Sequence, residues 1–319
     1  MPSEFDLIRR HFTRDTRHTE LAGGDDAALM SLWPGCQLVV STDMLVAGTH
    51  FFADTDPRDI GWKTLAVNLS DIAAMAAAPR WAVLALALPE ADERWVAAFA
   101  DGLFACADAF EVDLVGGDTT RGPLNLCVTL FGEVPIGEAV TRSGANVGDD
   151  LWVTGTPGLA ALGLAHLRGE LTLADAAREA CLAALHRPTP RVEAGKALRG
   201  IASAMLDVSD GLLGDLTHIL ERSQVGADVQ LADLPLERAA ALGVPPARAR
   251  EALLHGGDDY ELLFTAPPSQ RDTIGHLSQS LGLTISRIGH ITDAAGQLAL
   301  VDANGQRTHP QRLGYDHFS

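Results

Sequence analysis

Carboxylates crowd into short turns along this chain: Gly24-Asp25-Asp26, Ser41-Thr42-Asp43, Asn68-Leu69-Ser70-Asp71, Gly117-Asp118-Thr119 and Asp207-Val208-Ser209-Asp210. Carboxylate, hydroxyl and carbonyl oxygens are hard ligands, a donor set that suits Mg²⁺ better than zinc or copper. Each turn alone reads first as a helix cap, a common role for Asp or Ser at a strand–helix junction. Five of them in a chain without a Cys/His cluster point instead to a site for several metal ions. Like charges held close raise one another's pKa, so a crowded acidic pocket calls for cations. The cations in turn call for an anionic ligand, and phosphate oxygens bridged to carboxylates by Mg²⁺ fit best.

The phosphate-binding devices built on lysine are missing. There is no GxxxxGK[ST], and neither Lys63 nor Lys196 follows a glycine-rich loop of that kind. The Gly-rich loop, HRD and DFG set of protein kinases is missing as well. Arg142, in Thr141-Arg142-Ser143-Gly144, is the candidate for a phosphate fork, with an ordinary surface arginine as the other reading. No His/Asp pair suggests a general base.

The elements that must position these residues alternate. Leu38–Val40 reads as the core of a strand ending at Ser41-Thr42-Asp43, and residues 59–77 carry a helical apolar pattern. A strand is expected over Val83–Leu88, a helix over 92–110, and a strand over Asp113–Val115 running into Gly116–Thr120. Leu124–Glu133 closes the first half. The Gly-rich stretch 137–150 reads as a connection, with Asp149-Asp150 as a solvated turn. Beyond it come a strand at Leu151–Thr154, a break at Pro188 and Pro190, a strand at Ala204–Leu206, a helix over 212–222, and Gly256-Gly257-Asp258-Asp259-Tyr260 before a strand at Glu261–Thr265. Periodicity therefore gives a mixed α/β chain in two units, 1–137 and 147–319.

Composition narrows the function classes. A chain of 319 residues exceeds what one core usually holds. A net charge of −18 removes the basic footprint that nucleic acid needs. Hydrophobic content of 47% and mean hydropathy of +0.09 supply real cores. The most apolar stretch, Trp81–Leu88, is far short of the ~20 residues of a membrane span. Met1–Arg10 has no basic start and apolar run, so no signal peptide is expected. Cys36, Cys106, Cys127 and Cys181 form no CxxC pair, which favours reduced core thiols and a cytoplasmic location.

The ordered set GDDAAL (24–29), STDMLVAGTHF (41–51), AVNLSDIAAMAA (66–77), GGDTTRGP (116–123), TRSGA (141–145), VTGTPG (153–158), DVSDGL (207–212) and the terminal GYDHF resembles the thiamine-monophosphate kinase family. It spans nearly the whole chain. GTHF and GYDHF separate that family from aminoimidazole-ribonucleotide synthetase and selenophosphate synthetase, which share its ATP-binding architecture. The resemblance implies two α+β domains, the first binding ATP and metal and dimerising through its sheet, the second completing the active site. It implies Mg²⁺ held by Asp26, Asp43, Asp71, Asp118, Asp207 and Asp210 with Ser41 and Thr42. It places ATP at Gly117, Asp118, Arg142 and Ser209, and thiamine monophosphate at His50, Asp258 and Tyr315. The family usually reads Gly-Gly-Glu-Asp-Tyr; Asp258 replaces that glutamate with a shorter side chain of the same charge.

The implied activity is direct transfer of a phosphoryl group from ATP to thiamine monophosphate, the last step in making thiamine diphosphate, by a homodimer. The acceptor phosphate has a second pKa near ~6 and is its own nucleophile, so no catalytic base is expected. A metal-dependent phosphohydrolase, another ATP-using relative, or a nucleotide-binding module without catalysis are the alternatives.

Overall fold

The computed structural model describes residues 4–314. They divide into two compact units: the residues up to Gly137 without Ala73–Ala76, and those four together with the chain from Glu138 onward.

The first unit opens with α1 (Glu4–Leu7) and a π turn over Ile8–Phe12. It continues through β1 (Cys36–Val46), α2 (Pro57–Ala74), β2 (Ala78–Leu88), α3 (Glu93–Ala109), β3 (Asp113–Arg121) and β4 (Asn125–Pro135). The four strands form one sheet in the order β1-β4-β2-β3. The β1–β4 and β4–β2 pairs are antiparallel, whereas β2 and β3 are parallel. A parallel pair needs a long crossover, which α3 provides.

Two expectations about this sheet are corrected. Ser41-Thr42-Asp43 does not end a strand; β1 pairs with β4 without interruption from Cys36↔Pro135 to Val46↔Asn125. Gly116–Thr120 likewise lies inside β3, which stays paired with β2 as far as Arg121. Strand alternation therefore decides where these side chains go. Leu45 of β1 is buried, whereas Leu38, Val40 and Met44 on the opposite face are 48%, 52% and 51% exposed. The β2–β3 pairing also slips by one residue. Ala82 faces Leu114 and Val83 faces Gly116, leaving Val115 over, so that Ala85 faces Asp118. Gly117 follows the slip at φ +153°, and a Cβ there would fall 1.9 Å from Leu84 O; only glycine fits.

Helices α2 and α3 touch backbone to backbone. A Cβ on Gly61 would lie 2.0 Å from Phe99 O, and one on Gly102 1.9 Å from Arg58 O. Asp92 caps α3 by accepting from Arg94 N and Trp95 N. Ile60, Leu65, Leu69, Ile72, Phe99 and Leu103 are all buried in this unit.

The second unit contains β5 (Asp150–Thr154), α4 (Leu159–Leu167), α5 (Asp175–His186), α6 (Val192–Ala197), β6 (Ala204–Val208), α7 (Leu212–Ser223) and β7 (Gly226–Gln230). There follow α8 (Glu237–Ala241), α9 (Pro246–His255), β8 (Glu261–Ala266), α10 (Arg271–Leu281), β9 (Ile285–Thr292), β10 (Leu298–Val301) and β11 (Arg307–Thr308). Its seven strands run β11-β10-β7-β9-β5-β8-β6. The apolar stripe of α7, Leu212, Leu213, Leu216, Ile219 and Leu220, packs with Leu151, Val153, Leu206, Leu263 and Ile288 from the strands.

Asp149-Asp150 is not a solvated turn. Asp149 accepts from Asn146 N and Ser203 Oγ, and Asp150, at the start of β5, binds Arg271 through two contacts of 2.6 and 2.8 Å. Burial works against the Asp150 carboxylate, but Arg271 and Arg287 still hold it below its ordinary range. The thiols divide too: Cys106 and Cys181 are core residues, while Cys36 and Cys127 are only half-buried.

Alanine is favoured over glycine in a helix by about 1 kcal/mol. Gly102→Ala should nevertheless lower stability by about 1–3 kcal/mol, because the methyl must push the α2 and α3 backbones apart. Urea denaturation of the variant tests this, and an unchanged or higher midpoint would show that the two helices are not locked together.

Candidate active site

Helix α2 brings two of the acidic turns together. Asn68 and Asp71, three residues apart, share a helical face. Asn68 Oδ1 accepts the main-chain N–H of Asp43 at 3.0 Å, and Ser41 Oγ donates to Asp71 Oδ2. Asn68 is fully buried, and its Nδ2 donates to Thr64 O at 3.2 Å, so both ends of the amide are engaged. Ser41, Asp43 and Asp71 thus meet on one side of the sheet as an all-oxygen group, which suits a hard dication. Among the described residues no three carboxylate, imidazole or thiol side chains already enclose an ion-sized space.

Thr42 and Asp118 lie on the other face. Thr42 Oγ1 is 2.9 Å from Thr129 Oγ1, and Thr129 faces Val83. One step along, Asp118 faces Ala85, which faces Cys127. Strands β1 and β3 are the two edges of this sheet, about 14 Å apart at three strand spacings. Within this unit, Thr42 and Asp118 therefore cannot hold one ion together, nor share one with Asp43 through the sheet. Asp26 is exposed, in a loop closed by Leu29 N donating to Leu21 O at 2.8 Å; its own N–H donates to Asp25 Oδ1 at 2.9 Å.

His50 closes a turn after β1. Its Nδ1 accepts Val46 N at 3.0 Å, and His50 N donates to Val46 O at 3.0 Å. With Nδ1 accepting, the neutral ring carries its proton on Nε2.

In the second unit, Asp207 is buried at the end of β6, and the chain then turns through Ser209 and Asp210 into α7. This turn is held on both sides. Ser209 O accepts Asp258 N at 2.8 Å, and Val208 O accepts Tyr260 N at 2.8 Å. From the helix, Asp215 Oδ2 accepts Ser209 N at 2.9 Å and Asp210 N at 3.1 Å. Burial raises the Asp215 carboxyl to about 7, with the nearby Asp210 adding to the rise while the two amides and Arg142 oppose it. Arg142 itself is exposed, and its carbonyl accepts Ser223 Oγ at 3.1 Å.

Asp258 and Tyr260 are non-glycine residues at φ +68° and +52°, a left-handed conformation that surrounding structure must impose. Their own bonds to the Val208–Ser209 main chain supply part of that constraint. The residue between them supplies more. Asp259 is only partly covered, but its carboxylate is enclosed and receives Gly158 N at 2.8 Å on each oxygen, at the start of α4. Burial, with Glu261 and Asp258 near, pushes its carboxyl well above the usual range. Tyr260 Oη donates to Asp258 Oδ1 at 3.0 Å. Next along the chain, Glu261 pairs with Arg191 through two contacts of 2.6 Å and accepts Thr154 Oγ1 at 2.7 Å.

Sequence reasoning assigned no role to Asn68, Asp215, Asp259 or Tyr260. The signal for Asp215 was an acid set among Leu212, Leu213 and Leu216, on a stripe that is otherwise apolar. Tyr315 lies outside the described residues. By Gly314 the chain has reached the Asp210 turn, where a Cβ on that glycine would fall 2.6 Å from Asp210 O.

Comparison with known proteins follows the same two units. Residues 24–134 match the family described as AIR synthase related protein, N-terminal domain, and residues 146–301 match its C-terminal domain. The thiamine-monophosphate kinase of Escherichia coli (strain K12) is 45% identical over 320 residues, covering 99% of this chain and 98% of that protein. The crystal structure of thiamine-monophosphate kinase from Stenotrophomonas maltophilia K279a has TM-score 0.85 and 48% identity, with 95% of each chain covered. A structure described as AaThiL complexed with AMPPCP and TMP has TM-score 0.78 and 30% identity, covering 98% of this chain and 96% of that one.

Asp259 offers a clean test of how the 256–260 segment is held. Asp259→Ala leaves Gly158 N unanswered in an enclosed place and should cost about 1–3 kcal/mol of stability. Asp259→Asn keeps an acceptor, sheds a desolvated charge, and should stay within about 1 kcal/mol of the parent. Equal losses in both variants, measured by chemical denaturation, would mean that the charge itself holds the segment.

Proposed function

Because the chain belongs to the thiamine-monophosphate kinase family, we propose that it transfers the γ-phosphoryl group of Mg-ATP directly to thiamine monophosphate, giving thiamine diphosphate. The full-length likeness to proteins of that name carries this reading. The meeting of Ser41, Asp43 and Asp71 against α2 supports it chemically.

The acceptor phosphate is a dianion near neutral pH, so it needs no base to act as nucleophile. The obstacle is repulsion between two phosphate groups. Magnesium, when bound, supplies charge neutralisation and an in-line template. Ser41, Asp43 and Asp71 would hold one ion from one face of the first sheet, while Asp26, Thr42, Asp118, Asp207 and Asp210 would each serve other ions. Arg142 would fork onto nucleotide phosphate, and Gly117, Asp118 and Ser209 would be further ATP contacts. His50 would give its Nε2–H to the acceptor phosphate, while Asp258 and Tyr315 take the rest of the substrate. Tyr315 would stack on its cationic ring.

We further infer a homodimer formed through the first sheet. Leu38, Val40 and Met44 expose an apolar row on an edge strand, a surface that monomers usually cover. The half-buried and buried free thiols agree with a reducing, cytoplasmic setting.

Incubation with Mg-ATP and thiamine monophosphate should yield thiamine diphosphate; free phosphate without it would instead support a metal-dependent phosphohydrolase. Asp43→Asn should lower kcat by about a hundredfold or more in a folded protein, since it removes charge from the metal's side of the transfer. Near-normal turnover of that variant at low millimolar magnesium would remove Asp43 from the site. For the dimer, Val40→Lys should shift the mass in light scattering from twice 33.7 kDa to a single chain. A parent protein already at 33.7 kDa would end that part of the reading.

A further inference from the structure

We propose that Asp215 is a positioning residue for the nucleotide and its metal: its carboxylate sets the main-chain path of the Ser209–Asp210 turn. The proposal rests on the reading that Ser209 and Asp210 serve Mg-ATP.

Asp215 stands where the pattern of α7 asks for an apolar residue. It is 5% exposed, among Leu212, Leu213 and Leu216, and a buried carboxylate is costly unless it is answered by donors. Its donors are two successive main-chain amides. Ser209 N and Asp210 N converge on the same oxygen, Oδ2, at 2.9 and 3.1 Å. Two adjacent N–H groups pointing at one atom fix the orientation of both peptide planes, and with them the directions of the Ser209 and Asp210 side chains.

The other edge of the turn is held by two main-chain bonds, Asp258 N on Ser209 O and Tyr260 N on Val208 O. On the far side Gly211, at φ +117°, sits so close to α9 that a Cβ would meet His255 C and O at 2.9 Å. The turn therefore cannot relax toward α9, and Gly211 contributes no side-chain cap to α7. Of these restraints on the turn, Asp215 is the one a side-chain substitution removes. Without it, the Ser209 and Asp210 amides lose this acceptor, and the orientation of their two peptide planes is less restrained.

The test uses the full-length protein and two substitutions. Asp215→Asn keeps an acceptor oxygen on the same stem; it should bind Mg-AMPPCP within about threefold of the parent in titration calorimetry. Asp215→Ala removes the acceptor and should weaken Mg-AMPPCP and raise the half-saturating Mg²⁺ concentration by about tenfold or more, the scale of a lost charge-assisted hydrogen bond. Its KM for thiamine monophosphate should move by less than about threefold, since the Asp258 and Tyr260 bonds to the turn are main-chain ones. Hydrogen exchange in a peptide spanning 206–211 should speed up in the alanine variant and not in the asparagine one. Should the alanine variant not fold, Asp215→Ser, whose oxygen falls one atom short, is read in the same way. A folded alanine variant with parental affinity for Mg-AMPPCP overturns the proposal, as does an asparagine variant equally impaired. Calorimetry needs no turnover, so a parent that binds Mg-AMPPCP yet makes no thiamine diphosphate sinks the reaction reading alone.

Discussion

A carboxylate taken out of water must be answered, and in this protein main-chain N–H groups do much of the answering. Asp113, buried at the start of β3, accepts Arg17 N at 2.8 Å, His18 N at 2.6 Å and Thr19 Oγ1 at 2.8 Å. Glu133 of β4 accepts Trp33 N at 2.7 Å and pairs with Arg80. Asp149, Asp215 and Asp259 repeat the pattern in the second unit. In each case the acid sits on or beside a regular element, and most of the amides belong to loops that have no ladder of their own. Loop amides need partners as much as buried acids do, so one bond relieves both. Charge-assisted bonds of this kind are stronger than neutral ones, which is why a few suffice to fix long irregular stretches.

The acids thus fall into two populations with different physics. Those inside are consumed by the fold. Asp26 and Asp118 are exposed and, among the described residues, have no such amide cradle, and the functional reading takes its metal ligands partly from this second group. The net charge of −18 belongs to both, and only the second part of it is available to a ligand. Asp207 lies between the two: it is buried at the end of a strand, next to a turn whose own amides are already committed.

Sequence patterns placed α2, α3, α7, β4, β5, β6 and β8 to within a few residues, because apolar spacing reports a buried face directly, but gave no element at β7, at α8 to α10 or at β9 to β11. They misjudged Ser41-Thr42-Asp43 and Gly116–Thr120, polar stretches that read as turns. Both lie in edge strands of a sheet with one open face, where hydroxyls, carboxylates and glycines interrupt nothing. Asp149-Asp150 was misread for another reason: the arginines on Asp150 come from 121 and 137 residues further along the chain. Such partners leave no local trace. Family membership was legible in the order of the motifs, since their spacing reflects the whole architecture. The supporting residues Asn68 and Asp215 were not, because a side chain that serves the backbone has no chemistry of its own to advertise.

The leftover residue in β3 has a consequence for parity. Pairing from Trp81↔Asp113 without the slip would bring Asp118 opposite Leu86, which is 2% exposed, instead of Ala85. The acid would then point into the hydrocarbon interior, and Gly117 would exchange faces with it. Val115 thus acts as a half-step in a two-beat rhythm: by standing outside the ladder it keeps Asp118 on the face of Ala85 and off the face that holds Leu86.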